Sequence, residues 1–387
     1  MDILVVTDKL YPDESGGSCT YAFETTNHLT KLGNNVSIFT GYPEKRTNDA
    51  FFPGITIYRD LEKKNLLKSA KSLETVLKSN HYDVIIFHSI ISWFLYYLAV
   101  RLFNHRKTYT TLGIYHGPWY KEALLKFKGN KSYFKYSLVP VMRLLEYFYA
   151  NSVDSFLFLS NYMKHQLANT NKRVLNKTSK IIPGGVNVAE FQRRMDKANA
   201  RKILKIPENK FVIFSLRRLE YRMGIQNGIE AISRIPNDNI IFMVGGKGPY
   251  ETVLKEKAAT SGIDCVFLGY IPQDQLHLYF CAADLFLVPS IDLEGFGLVN
   301  LEALAMELPV LVTPQGGMKE IQGVFKYFYV SESNTVEDLA IKIKELQDNL
   351  RGTESFVDET IKRFDWSHIT EEIYLYVKEL AARTQAD

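Results

Sequence analysis

Cysteine is scarce: Cys19, Cys265 and Cys281 are the only three in 387 residues. They share no short spacing. That excludes a disulfide scaffold and a cysteine zinc cluster, and it suits a reducing compartment. Long apolar runs are also missing. The longest, Ile90 to Val100, is about half of what a membrane-spanning helix needs. The apolar run within Met1–Lys9 is too short for the core of a secretory signal, and acids flank it. A cytoplasmic chain is therefore expected, with peripheral attachment to the inner face of a membrane left open. There is no H-E-x-x-H, no D-x-D, no Cys/His cluster, no Walker A motif and no G-x-S-x-G. Neither a bound metal nor a resident cofactor is expected.

What remains is the composition of a folded chain. Hydrophobic residues make up 46% and charged residues 23%, which excludes a mainly disordered or fibrous protein. At 387 residues the chain is too long for one ordinary core and suits two domains. The net charge of +4 conceals an asymmetry. Residues 1–200 hold 27 Lys and Arg against 16 Asp and Glu, a net of +11, whereas residues 201–387 hold 20 against 27, a net of −7. The basic first half is suited to something anionic. Nucleic acid, anionic lipid and a phosphorylated acceptor all fit on charge alone.

Short β-branched runs alternate with helical patterns along almost the whole chain. Ile3–Thr7 is a continuous apolar run, as expected of a strand buried on both faces. A helix is expected over Tyr21–Leu32 with Gly33 as its cap, then a strand over Val36–Thr40. Further strands are expected over Asp83–Phe87, Thr108–Ile114, Ser155–Leu159 and Lys180–Ile182. The pattern restarts with strands over Phe211–Ser215, Ile240–Val244, Val266–Leu268, Leu285–Val288 and Val310–Thr313. Helices are expected between them over Gly224–Arg234, Glu251–Ser261, Gln275–Ala283 and Val299–Glu307. Repeated βα units imply parallel sheets covered by helices. The reading is α/β, with two doubly wound, Rossmann-like domains facing a cleft: residues 1–192, residues 193–365, and a helical tail over 366–387 expected to pack back toward the N-terminal domain. Ligands of such sheets bind at the carboxyl ends of the strands.

The chemistry collects at strand–helix junctions. Tyr11-Pro12-Asp13-Glu14-Ser15-Gly16-Gly17-Ser18 follows the first strand, and its paired glycines let backbone N–H groups approach a phosphate. Its spacing is not that of a dinucleotide fold, and a plain βα turn fits it as well. Glu294-Gly295-Phe296-Gly297-Leu298-Val299-Asn300-Leu301-Glu302 is the strongest signal. Glu294 falls on a loop at a strand's carboxyl end and Glu302 falls inside the next helix. Carboxylates accept hydrogen bonds from hydroxyls, which suits a sugar. Gly316-Gly317 makes another strand–glycine–helix junction. Three arginines in Arg217-Arg218-Leu219-Glu220-Tyr221-Arg222-Met223-Gly224 could clamp a diphosphate, since the guanidinium fork matches phosphate oxygens. His88 and His116 stand at strand ends, and Gly117-Pro118 forces a turn that presents His116. Lys121, Lys126, Lys128, Lys131 and Lys135 interleave with aromatic and aliphatic residues, a pattern fit for an anionic membrane or for an ordinary solvated helix face. No nucleic-acid recognition module is visible, so nucleic acid is not expected as a partner.

Together these pieces resemble the retaining, GT-B-fold glycosyltransferases of family 4, also called glycosyl transferases group 1. The resemblance runs from Tyr11-Pro12 to Trp366. The most specific motif is Glu294 to Glu302 with its Gly-Phe-Gly. Gly16-Gly17, His116-Gly117-Pro118-Trp119, Ile182-Pro183-Gly184-Gly185-Val186-Asn187, Arg218-Leu219, Gly246-Lys247-Gly248-Pro249, Leu268-Gly269-Tyr270-Ile271 and Gly316-Gly317 support it. The resemblance implies a nucleotide-diphosphate sugar, commonly UDP-linked, bound by the C-terminal domain. It also implies a glycan, lipid-linked or small-molecule acceptor bound mainly by the N-terminal one. It gives Arg218 to the diphosphate, Glu302 to the ribose, Glu294 and His116 to the transferred sugar, and Ile271 to the base. Gly16, Gly17, Gly246, Phe296, Gly297 and Leu298 join the donor site. One departure stands out. The family has a lysine where this chain has Met223, and a glycine where it has Arg217. Arg222 is expected to replace the missing cation. A degenerate glycan- or partner-binding protein and a nucleotide-sugar epimerase are the competing functions.

Overall fold

Branched and aromatic residues in short unbroken runs become strands covered on both faces. Leu4, Val6, Ile85, Phe87, Phe156 and Phe158 are buried in one core, and Ile213, Phe242, Val244, Leu285 and Leu287 in another. The computed structural model describes residues 1–14, 16–41, 51–129, 133–236, 239–350 and 358–386. The chain divides into two compact units: residues 1–120, 138–185 and 366–387 form the first, and residues 121–137 and 186–365 the second. The junction thus falls at Gly185–Val186 rather than after residue 192, and residues 121–137 group with the second unit.

The first unit holds a parallel sheet of β1 (Asp2–Val6), β2 (Asn35–Gly41), β3 (Thr56–Leu61), β4 (Val84–Phe87), β5 (Thr110–Tyr115), β6 (Ser155–Phe158) and β7 (Ser179–Ile181). Their order in space is β3-β2-β1-β4-β5-β6-β7. The second holds β8 (Phe211–Leu216), β9 (Ile240–Gly245), β10 (Asp264–Gly269), β11 (Leu285–Val288), β12 (Val310–Val312) and β13 (Phe328–Val330), in the order β10-β9-β8-β11-β12-β13. Every ladder is parallel, with Ile3 opposite Val84 at the centre of the first sheet and Phe286 beside Phe214 in the second. Strand order reverses between β1 and β4, and again between β8 and β11. Those are the two switch points. The fold is therefore a pair of Rossmann-like α/β units.

The strand β3 and the helices Leu66–Ser79, Ile90–Leu102 and Val139–Ser152 add to the sequence reading of the first unit; β13 and Val336–Asn349 add to that of the second. The helix Ile90–Leu102 is the apolar run too short to span a membrane; it buries Trp93, Leu95 and Tyr96 instead. No helix among the described residues is long and apolar enough to cross a membrane.

The tail is a short 3-10 turn over Glu359–Phe364 followed by the helix Trp366–Ala386, and that helix belongs to the first unit. Trp366, Ile369, Ile373, Tyr376, Val377 and Leu380 recur at three- and four-residue spacing and are all buried. Trp366 sits edge-on to Tyr21, 5.3 Å between ring centres, and the Tyr376 hydroxyl lies 2.5 Å from Ser155 Oγ. Residues far apart in sequence thereby close one core. Trp366→Ala should lower the stability of the first unit by about 3–5 kcal/mol, the usual cost of deleting a buried aromatic. Urea denaturation followed by tryptophan fluorescence and by circular dichroism would show the first unit's transition moving to lower urea.

Candidate functional site

The second sheet's switch point lies between β8 and β11, and the arginine segment and the first glutamate follow those two strands. Glycines hold the loops together by close backbone approach. Gly246 has φ +116°, and a Cβ there would come within 1.8 Å of the Arg217 carbonyl oxygen. Arg217 N–H in turn donates to the Gly245 carbonyl at 3.1 Å. Gly316 has φ +64°, and its Cβ would fall 1.8 Å from the Glu294 carbonyl oxygen, to which Gly317 N–H donates at 2.9 Å. Any side chain at either glycine would push the two loops apart.

Within this frame Glu294 is surrounded by donors. Arg217 Nη2 donates to Glu294 Oε2, and Ser290 Oγ donates to the same oxygen at 3.1 Å. Burial pushes the Glu294 carboxyl up, but the charges of Arg217 and Arg222 and the Ser290 hydrogen bond outweigh it. The net result is a carboxyl below its usual range, ionised at neutral pH. The same Nη2 of Arg217 lies 3.0 Å from Met223 Sδ, and its Nη1 is buried without a partner among the described residues. Arg222 turns elsewhere. Its Nε is 3.7 Å from Glu220, its Nη2 3.7 Å from Glu122, and its Nη1 donates to the Leu293 carbonyl at 3.4 Å. Arg218 is more open to solvent, with Nη1 3.7 Å from Glu220.

Glu302 lies inside the helix Leu298–Ala305, which Gly297 caps at φ +77°. Its carboxylate has no hydrogen-bond or ion-pair partner among the described residues. Burial, with Glu190's charge second, pushes it up to about 7. Phe296 is buried and stacks on Phe364, 6.3 Å between centres, so it supports the loop from beneath. Ile271 is buried against Gly245, where an added Cβ would approach its Cδ1 to 2.8 Å. Two features escaped the sequence reading. Ser290 is the hydroxyl beside Glu294. Asn300 is fully buried, with both amide atoms unpartnered among the described residues, and its Nδ2 lies 2.5 Å from where a Cβ on Gly297 would be. The signal for both was their place next to the glutamate motif.

In the first unit, His88 follows β4 and His116 follows β5, on the side where strand order reverses. His88 Nδ1 and His116 Nε2 are 3.2 Å apart, and Tyr21 packs edge-on against His116 at 5.4 Å. Burial pushes His116 down to about 4, and burial with the neighbouring ring holds His88 well below its usual value. Both rings are neutral at pH 7, one donating to the other. Gly17 opens the helix Gly17–Lys31 with Gly16 as its N-cap, and Arg59 anchors the preceding loop through Asp13 at 2.7 Å. Ser15 and Lys131, and the side chain of Lys128, lie outside the described residues; Lys121, Lys126 and Lys135 lie within them.

Two family descriptions match the chain: "Glycosyl transferases group 1" over residues 196–363 and "Glycosyltransferase Family 4" over residues 15–190. A lipopolysaccharide 1,2-N-acetylglucosaminetransferase of Salmonella typhimurium is 27% identical over 209 residues, covering 49% of this chain and 54% of that protein. The chain spans 38%, 41% and 54% of the lengths of the first three curated relatives that it matches. Among solved structures, the sucrose-phosphate synthase of Thermosynechococcus elongatus shares the fold at TM-score 0.78, with 19% identity and 99% of each chain covered. Anabaena HepE in complex with UDP-glucose shares it at 0.74, with 17% identity over 98% of this chain and 100% of that one.

The histidine pair carries a prediction. A histidine whose folded value is depressed binds fewer protons than the unfolded chain between the two values, so its stabilising effect is complete above about 6.5. It fades as pH falls through about 4. Thermal unfolding of the wild type should lose stability over that window more steeply than the double variant His88→Gln, His116→Gln. Equal slopes would contradict the neutral pair.

Proposed function

We propose that this chain, which belongs to the GT-B glycosyltransferases of family 4, moves a sugar with retention from a nucleotide-diphosphate sugar to a glycan or lipid-linked acceptor. The observation that carries the reading is the pairing of two glutamates of opposite character after β11. Glu294 is ionised and fixed, whereas Glu302 is unpartnered and titrates near neutrality. A fixed carboxylate supports positive charge developing on a sugar. An unpartnered one accepts the two hydroxyls of a ribose.

The residues then divide the work. Glu302 holds the ribose, Ile271 lines the base, and Gly246, Gly297 and Leu298 present backbone groups to the nucleotide. The arginines after β8 and the helix N-terminus at Leu298 meet the diphosphate, whose negative charge grows as the bond to the sugar breaks. The acceptor hydroxyl oxygen bonds to the anomeric carbon on the face the diphosphate leaves. The sugar–phosphate bond breaks, and the acceptor's proton passes to a departing phosphate oxygen. His116, neutral, orients the sugar by hydrogen bonding, and Gly16-Gly17 approach the acceptor. UDP is the expected carrier, a reading supported by HepE having been solved with UDP-glucose. Assembly of a cell-surface polysaccharide is the expected setting, in line with the Salmonella relative's lipopolysaccharide activity.

The membrane surface is the expected site of the lipid-linked acceptor. Val141, Leu144 and Phe148 share one face of the helix Val139–Ser152 by their spacing and are 55%, 55% and 46% exposed. Exposed Arg143 lies on the same helix, a combination suited to an anionic bilayer.

Thermal shift across a panel of nucleotide sugars should give stabilisation by one of them, lost in Glu302→Ala. A flat panel would favour a binding protein without turnover, and conversion of the nucleotide sugar without acceptor would favour an epimerase. Because ribose hydroxyls need the ionised carboxylate, affinity should rise as pH climbs through about 7 and level off above it. Glu302→Gln should flatten that profile. Sedimentation with vesicles of phosphatidylglycerol and phosphatidylcholine at low salt should retain the wild type. Binding should fall at least tenfold in Val141→Ser, Leu144→Ser, Phe148→Ser. Equal binding by this triple variant would remove the helix from the membrane reading.

A further inference from the structure

The departure at Met223 has its counterpart at Arg217. The sequence resemblance leaves position 223 without a cation and puts one at 217 instead of glycine. In the folded unit these positions meet: Arg217 Nη2 lies 3.0 Å from Met223 Sδ and donates to Glu294 Oε2. A lysine at 223 is one bond longer than methionine, and Met223 Sδ already lies 3.0 Å from the guanidinium, so the two cations would be neighbours. Two cations there would repel each other, whereas a thioether is neutral and polarisable.

The route of the Arg217 side chain is fixed from behind. Its carbonyl is clamped over Gly246 and its N–H is bonded to Gly245, so the side chain leaves β8 in a set direction. Its side chain is 6% exposed. Its Nη1 is a buried donor without an acceptor among the described residues. A buried guanidinium N–H with no partner is costly unless a ligand oxygen supplies one. Arg222, which the sequence suggested as the replacement, is instead held by Glu220, Glu122 and the Leu293 carbonyl.

We infer that Arg217 and Met223 are an exchanged pair, in which Arg217 carries the cation beside Glu294 that binds the diphosphate of the nucleotide sugar. This rests on the glycosyltransferase reading above. It moves the charge from one end of the loop to the other while keeping it at one point in space.

The experiment is a charge exchange. Binding of UDP, GDP and ADP is measured by calorimetry for the wild type, Arg217→Gly, Met223→Lys, the double variant R217G/M223K, and Arg222→Ala. The Glu294 carboxyl is titrated in each by carbon-13 NMR. With the nucleotide that the wild type binds, Arg217→Gly should weaken affinity at least tenfold, and the double variant should recover most of it. Met223→Lys alone should weaken binding through crowding of two cations. Arg222→Ala should lose less than Arg217→Gly. Glu294 should titrate higher in Arg217→Gly and return in the double variant. Apo thermal unfolding checks the fold. If the glycine variant does not fold, Arg217→Met keeps the side-chain volume and serves in its place.

Full affinity in Arg217→Gly, or a larger loss in Arg222→Ala, overturns the inference, as does a double variant that binds no better than Arg217→Gly. A wild type that binds none of the three nucleotides instead overturns the donor reading on which the inference rests. The Glu294 titration still reports in that case whether Arg217 is the cation that sets it.

Discussion

The candidate site of the second unit is built around a buried ion pair, Arg217 with Glu294. Removing both charges from water costs several kcal/mol each, and attraction in the interior recovers that only with good geometry and further hydrogen bonds. The surroundings supply them. Ser290 shares the load on Glu294 Oε2, and Arg222 adds positive potential. The pair joins the ends of β8 and β11, the two strands between which the chain order reverses. A sheet of this topology opens its crevice there because connections depart in opposite directions. Two glycine contacts, Gly246 on Arg217 and Gly316 on Glu294, fix the backbone of both partners. The charged side chains therefore need little further ordering when something binds between them and solvent.

Protonation states follow from surroundings rather than residue type. Glu294 and Glu302 are eight positions apart, yet they are shifted in opposite directions: the first is surrounded by cations, whereas the second faces burial and the charge of Glu190. The histidines of the first unit show the same principle with the opposite charge. Neither has an anion beside it among the described residues, so burial leaves both neutral and each becomes a directional hydrogen-bonding group rather than a cation. Such a neutral ring can orient a sugar hydroxyl without repelling an oxocarbenium-like centre.

Much of the fold was legible because both sheets are buried on both faces. Runs such as Leu285–Val288 and the helix Glu251–Ser261 read directly from pattern. β3 was not legible: it is half-exposed and carries Arg59 and Asp60. Ile90–Leu102 is apolar nearly all round, so it shows no helical period to read. The site was legible where glycines and carboxylates repeat a known spacing. The Arg217–Met223 contact was not. Its members are six apart in sequence, and they meet only because a loop folds back on itself from a backbone clamped by Gly246. Phe296 shows a different case: a motif residue that is buried, with its ring stacked on Phe364.

Net charge does not point to the anion site proposed for this protein. Residues 201–387 carry −7, yet they contain the site proposed for a diphosphate. Long-range potential from dispersed surface charges is screened over about 10 Å in ordinary salt, so it steers encounter more than it holds a ligand. A buried guanidinium with a free N–H and the dipole at a helix N-terminus act over one or two bonds' distance in a medium that screens little. Arg217 meets that description through its unpartnered Nη1. Several acids of this half are neutralised in pairs on helix surfaces, such as Lys344 with Asp348 and Arg234 with Glu230, which add little field at the switch point. An acidic domain can therefore hold a polyanion, provided that its few interior cations are aimed, and aiming is what the glycine clamps behind Arg217 and Glu294 accomplish.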